Sequence, residues 1–214
     1  MLNWACILAL LLLQNICFIY KAKGLYMIKI GDKVKDLSLD VFYEENIKKI
    51  NFSDYVGKWL VLLFYPADFT FVCPTELEDA AKHYQTFSEL GAEIISISTD
   101  TAFVHKAWHD NSIAIKKVTY PMGADPTGNI CREFGTYIDH EGLSQRATFI
   151  IDPDGKVVAY EIHDNSIGRS IEEILRKLQA AKFVRDNDGA IVCPASWHPG
   201  DKTLKPGVDL VGKI

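Results

Sequence analysis

Residues 60–76 read LVLLFYPADFTFVCPTE. The first five, LVLLF, form an uninterrupted apolar run, the pattern of a strand covered on both faces. Beyond the polar break, Leu77, Ala80, Ala81, Tyr84, Phe87 and Leu90 recur at helical spacing, and Gly91 supplies a stop. A strand that passes through a short loop into a helix leaves Cys73 at the junction. Pro74 suits the first helical position, where no main-chain N–H is needed, so Cys73 falls at or beside the N-cap. There the sulfur would face unpaired N–H groups and the positive end of the helix dipole, both of which favour a thiolate.

The same alternation continues outward. Residues 93–98 (EIISIS) read as a buried strand, and a helix is expected near 102–110. Residues 147–151 and 157–162 flank Asp152-Pro153-Asp154-Gly155, which has Pro and Gly where a tight hairpin turn wants them. Residues 170–182 form an amphipathic helix with Ile171, Ile174, Leu175 and Leu178 on one face and Ser170 as its cap. Past Phe183 the texture changes: Gly189, Pro194, Pro199, Gly200, Pro206 and Gly207 make 186–214 an extended arm and not another layer of core. Alternating elements predict an α/β sandwich with a central mixed sheet flanked by helices.

A chain of 214 residues, 48% hydrophobic and 24% charged, is enough for one substantial core. The net charge of −5, with no basic stripe, argues against nucleic acid as a partner. Residues 1–26 are a hydrophobic leader whose lysines, Lys21 and Lys23, follow the apolar run instead of preceding it. Three readings of it stand: an export signal, a membrane anchor, or an extension ahead of a start at Met27. The last makes the protein cytoplasmic; the others export or anchor it.

Five cysteines include no C-x-x-C pair, so neither a zinc knuckle nor a thioredoxin-type dithiol is available. Cys6 and Cys17 lie in the leader, and Cys131 in an expected helix reads as a packed or semi-exposed spectator. Cys73 and Cys193 are the candidates for chemistry. His105 and His109, four apart and without an acidic third ligand, read as surface or packing residues. Trp108 reads as core or subunit contact.

Pro66, Thr70 and Cys73 reproduce P-x-x-x-T-x-x-C, and F-x-x-V-C-P-T-E extends it. Ser98-Thr99-Asp100, Lys106-Ala107-Trp108-His109, Asp125-Pro126-Thr127-Gly128, the segment from Arg146 to Pro153, Ile167-Gly168-Arg169 and Val192-Cys193-Pro194-Ala195 then follow in order. On these residues the chain resembles the peroxiredoxins of the two-cysteine branch over 27–214, and its ending is similar to that of the bacterial type. The resemblance implies a thioredoxin-like fold of peroxiredoxin type at 27–185, with the arm at 186–214 carrying the resolving cysteine. It implies a thiol peroxidase for hydrogen peroxide and organic hydroperoxides that needs no metal, haem or flavin. Cys73 would be peroxidatic and Cys193 resolving, by a disulfide between subunits. An external dithiol reductant, a flavoprotein disulfide reductase or a thioredoxin-like protein, would reset the pair. The assembly implied is a homodimer, with decamers of five dimers. A holdase-type chaperone or structural ring is the alternative from a different class.

Magnitudes say what such a site must supply. Lowering a thiol pKa from about 8.5 to about 6 raises its thiolate fraction at neutral pH only about 30-fold. The larger share must come from aligning the peroxide and stabilising charge on the leaving oxygen. By resemblance, Thr70 and Arg146 are the catalytic partners and Pro66 shields the sulfur from water; a helix-entry cap and a surface ion pair are the other readings of Thr70 and Arg146. Glu76 is either a capping-box carboxylate on Cys73 or an anchor for arginines such as Arg146. Arg169 resembles a supporting residue near the active site, with a surface arginine at a helix start as the alternative. The resemblance also implies robust cycling, because residues 108–125 lack the G-G-L-G insertion of peroxide-sensitive relatives and the sequence shows no C-terminal Y-F pair.

Overall fold

The computed structural model of the protein describes residues 27–213, so the expectations for 1–26 lie outside the described residues. Nine strands are present there: β1 Ser38–Tyr43, β2 Asn46–Asn51, β3 Trp59–Phe64, β4 Ala92–Ser98, β5 Met122–Ala124, β6 Tyr137–Ile138, β7 Leu143–Ser144, β8 Arg146–Ile151 and β9 Val157–His163. Four α-helices accompany them: α1 Cys73–Glu89, α2 Ala102–Asn111, α3 Asn129–Glu133 and α4 Ile171–Asp186. Seven strands form one sheet in the order β2-β1-β5-β4-β3-β8-β9, while β6 and β7 pair separately. β3, β4 and β5 run parallel to their neighbours in that group, and the other pairings are antiparallel. The mixed sheet expected from the alternating pattern is therefore what forms.

All six residues of β3 are buried, as its unbroken apolar run requires. Val61 and Leu63 pack with Leu77, Ala80 and Phe87 of α1 and Ile171, Ile174 and Leu178 of α4. Leu60, Leu62 and Phe64 point the other way, onto Ile130, Phe134 and Phe149. The two-residue period of the strand thus feeds two separate cores, one on each face of the sheet. α1 stops where expected, with Leu90 as its C-cap and Gly91 at φ +75°, the left-handed position that an L side chain resists.

α1 begins one residue earlier than the proline rule suggests. Cys73 is the first helical residue, Pro74 the second, and Val72 is an N-cap with no side-chain bond. α4 starts as expected, Ser170 Oγ accepting from Glu173 N at 3.2 Å. It runs to Asp186, beyond the expected end at 182, because Phe183 packs on Trp197 with ring centroids 4.9 Å apart. Past α4 the chain carries an isolated bridge between Val192 and Leu204 and a short 3-10 turn, Val208–Leu210. Trp197 is nonetheless buried, so this segment folds back over α4. No helix among the described residues is long and apolar enough to cross a membrane.

Candidate active site

β3 delivers the chain through a buried Pro66 into a turn that ends at α1. Phe69 sits in that turn at φ +55°, a conformation costly for an aromatic residue, and its ring packs tilted against Trp108 of α2, centroids 6.0 Å apart. Behind it, Asp68 is buried with Tyr65 and His105. Tyr65 Oη donates to Asp68 Oδ1 at 2.7 Å, and His105 Nδ1 lies 2.7 Å from Asp68 Oδ2. His105 Nε2 lies 3.0 Å from Gly123 O. Asp68 N in turn donates to Asp100 Oδ2 at 2.9 Å. The loop is fastened to β4, β5 and α2 by this network.

Cys73 itself has no exposed surface. Its sulfur is reached by Arg146 Nη1 at 3.3 Å. No main-chain N–H of α1 donates to it among the described residues, so the helix start gives the sulfur its position and Arg146 gives it a donor. Arg146 opens β8, next to β3 in the sheet, which carries its guanidinium to the mouth of α1. The same Nη1 donates to Glu76 Oε2 at 2.8 Å.

Glu76 is the anchor of the alternatives weighed for it, and not a capping carboxylate. Besides Arg146, its Oε1 accepts from Arg169 N at 2.7 Å and Arg169 Nε at 2.9 Å, while Oε2 accepts from Arg169 Nη2 at 2.9 Å. Burial alone would push the Glu76 carboxyl up, but the hydrogen bonds and charge of Arg169, with the charge of Arg146, hold it below its ordinary range. Arg169 does not touch the sulfur, and it is a buried brace, not a surface residue: its Nη1 donates to Ala147 O at 2.7 Å. Two cations and one carboxylate leave a single positive charge beside Cys73, which a thiolate there neutralises.

Thr70 is half-buried and donates Oγ1–H to Ala67 O at 2.8 Å, not to Cys73. Its oxygen lone pairs stay open as acceptors. Cys193 lies elsewhere: half-buried over α4, its Sγ is 3.9 Å from Ala180 O, and Cys73, Cys131 and Cys193 are all free thiols. Burial pushes the Cys193 thiol up, partly opposed by the charge of Arg176. Cys131 is sealed in the second core, where burial and the charge of Asp125 push its thiol up to about 12, consistent with a spectator. Trp108 is core, as expected.

Two features escaped the sequence reading. His105 is not one of a pair with His109 but the buried partner of Asp68, on which the turn before Cys73 rests. Asn165, in the turn after β9, accepts from Arg146 N through Oδ1 at 3.1 Å and from Arg146 Nε through its main-chain O at 2.9 Å. The only hint of it in the sequence is Asp164-Asn165-Ser166, a turn-forming run between a strand end and Gly168.

The AhpC/TSA family profile matches residues 30–160. Alkyl hydroperoxide reductase C of Staphylococcus aureus is 53% identical over 171 residues, covering 80% of this chain and 90% of that protein. Among solved structures, Enterococcus faecalis AhpC superposes with a TM-score of 0.76 at 45% identity, covering 78% of this chain and all of that one. The reduced 2-Cys peroxiredoxin of Plasmodium vivax superposes with a TM-score of 0.80 at 30% identity, over 84% of this chain and 94% of that one.

Proposed function

The chain belongs to the AhpC/TSA family and is a thiol-dependent peroxidase of thioredoxin-like fold, and from that premise we propose that Cys73 is its peroxidatic residue and Cys193 its resolving one. The observation that carries this is the 3.3 Å approach of Arg146 Nη1 to a fully buried Cys73 Sγ, with the same nitrogen held by Glu76. Arg146 Nη2 has no partner among the described residues, which leaves two N–H donors for the peroxide. The Cys73 thiolate attacks the near oxygen; the S–O bond forms as the O–O bond breaks, and the leaving oxygen departs as water or alcohol after taking up one proton. Arg146 stabilises the charge that develops on that oxygen, and Thr70 accepts from the peroxide O–H. Pro66 closes the site to water, while Glu76 and Arg169 hold Arg146 in place.

The Cys193 thiol then condenses with the Cys73 sulfenic acid, forming a disulfide and releasing water. The placement of the Cys193 sulfur over its own α4, against Ala180 O and not at Cys73, supports a pairing across two subunits. A flavoprotein disulfide reductase or a thioredoxin-like dithiol completes the cycle, and the assembly is a homodimer, with decamers of five dimers. The exposed Phe69 and Phe71 of the turn before Cys73, with the exposed Phe103 and Ile113, support such contacts. A cytoplasmic site of action is part of this reading, and fractionation of cells producing the full chain tests it. A holdase or a purely structural ring is not favoured by the family relationship.

Stoichiometry tests the assignment. Cys73→Ser should consume no peroxide. Cys193→Ser should consume one equivalent and then stop unless a small thiol is added. Repeated turnover by Cys73→Ser, or an oxidised wild type that stays monomeric on a non-reducing gel, would overturn the chemistry or the intersubunit pairing respectively.

A further inference from the structure

Arg146 stands at the last rung of the β8–β9 ladder, opposite His163. One residue further the strands part, and the main-chain N–H of Arg146 would be left without a strand partner. Asn165 fills that place: its side-chain Oδ1 takes the N–H at 3.1 Å, as a strand carbonyl would, while its main-chain O takes the guanidinium Nε–H at 2.9 Å. One residue therefore holds both the root and the head of the arginine. The turn that presents it is itself fixed. Asp164 Oδ1 accepts from Ser166 N at 2.8 Å and Ser166 Oγ at 2.6 Å, and Ile167 N donates to Asp164 O at 3.0 Å. On its far side Gly168 lies against the start of α1, where an added Cβ would make ordinary contact with the N-cap Val72 (Cγ1 at 3.4 Å).

From this geometry we propose that Asn165 is a positioning residue for peroxide reduction, setting the direction in which the free Nη2 of Arg146 points. Glu76 fixes the guanidinium through Nη1 alone, which leaves rotation about that contact. The bond to Nε removes it, and the plane of the fork is then defined at two points. A leaving oxygen needs donors placed to within a fraction of an ångström, whereas simple ionisation of the thiol needs only nearby positive charge. Asn165 should therefore matter for peroxide cleavage and not for thiolate chemistry in general.

The inference rests on the role given to Arg146, and the test separates the two. In the full-length chain, Asn165→Ala keeps the main-chain O but loses the Oδ1 bond that seats this turn, and with it that O, against Arg146; it should slow peroxide reduction about fivefold, the effect of one lost hydrogen bond relayed through the arginine. Its alkylation by iodoacetamide, which needs the thiolate but no oxyanion donor, should stay at the wild-type rate. Asn165→Asp keeps the acceptor but adds a negative charge beside Arg146, so it should slow alkylation and peroxide reduction alike and leave the ratio of the two within about twofold of wild type. In an Arg146→Ala background, Asn165→Ala should have no further effect on the peroxide rate. Equal loss in both reactions of Asn165→Ala, a ratio in Asn165→Asp as far from wild type as in Asn165→Ala, or full additivity with Arg146→Ala would overturn the proposal. If Arg146→Ala itself leaves the peroxide rate unchanged, the role of Arg146 fails instead; if Arg146→Ala is slow and Asn165→Ala is not, only this inference fails.

Discussion

The surroundings of Cys73 and Cys193 differ in almost every respect that bears on reactivity. Cys73 is sealed at the root of a 17-residue helix, with a guanidinium on its sulfur and a buried carboxylate holding that guanidinium. Cys193 lies half-buried beside an isolated bridge, and its sulfur has one long contact to a carbonyl. The first environment builds charge complementarity at a fixed point; the second leaves the thiol without a donor among the described residues, on a segment that carries one isolated bridge and is tied to α4 through Trp197. A disulfide needs the two sulfurs about 2 Å apart. Because Cys73 has no exposed surface, forming the proposed pair requires movement, and of the two thiols Cys193 is the less buried. At the other end, α1 lacks a side-chain N-cap, but Glu76 in its first turn is bound to the buried Arg146 and Arg169, so that turn is held by the charge cluster and not by a cap.

The contrast breaks most sharply at Arg146. Arg146→Ala should lower the rate of peroxide reduction by about 10²–10³-fold, as removal of an oxyanion donor does elsewhere. The loss should persist at a pH where the thiol is fully ionised. Full recovery at high pH would reduce Arg146 to a promoter of the thiolate and leave the peroxide without its main stabiliser.

Glu76 tests the other half of the contrast, the built charge cluster. Glu76→Gln leaves Arg146 and Arg169 buried without a counter-charge, and it should cost about 3 kcal/mol of stability at neutral pH. The pH dependence has a definite sign. Because the folded-state carboxyl is held below its ordinary value, its stabilisation is fully present above the unfolded carboxylate range and is lost as pH falls through the folded value. Urea unfolding of wild type and variant should therefore converge on the acid side. A constant gap between the two curves from neutral to acid pH would mean that the lost stability is packing and not charge.

Much of this arrangement was legible in the sequence because it follows from local rules. The unbroken apolar β3, the helical spacing after Cys73 and the Ser170 cap each depend on neighbours along the chain, and each formed where expected. β1 and β2 were not foreseen. Their connecting turn places Glu44 at φ +52° and Glu45 at φ +60°, where the usual signal would be Asn-Gly. β5, three residues long, exists through pairing with β1 and β4 and has no periodicity of its own to read. Within the site, the motif marked Cys73, Thr70 and Arg146, but motif and spacing are silent on which oxygen of Glu76 faces which arginine. They are equally silent on the acceptor that holds Arg146 Nε. Those depend on β8 and the turn after β9 arriving at α1 from residues far along the chain.

The smallest expected effect concerns the tether of the second region. Trp197 is the arm's main anchor: its ring lies on Phe183, its main-chain O accepts from Arg176 Nη1 at 3.0 Å, and its Nε1 donates to Asp201 O at 3.2 Å. Removing that ring takes away apolar contact only four residues beyond Cys193, without touching the site around Cys73. Trp197→Ala should therefore release the arm more readily and let Cys193 capture the sulfenic acid sooner. A second peroxide then has less time to convert Cys73 to sulfinic acid. The shift should be modest, about threefold in the peroxide concentration that gives half sulfinylation, because only part of the tether's free energy is removed. Intact-protein mass spectrometry after turnover at graded peroxide measures it directly. If sulfinylation instead became easier in Trp197→Ala, the anchor would be presenting Cys193 to its partner and not restraining it, and the contrast between a built site and a loosely tethered one would have to be redrawn.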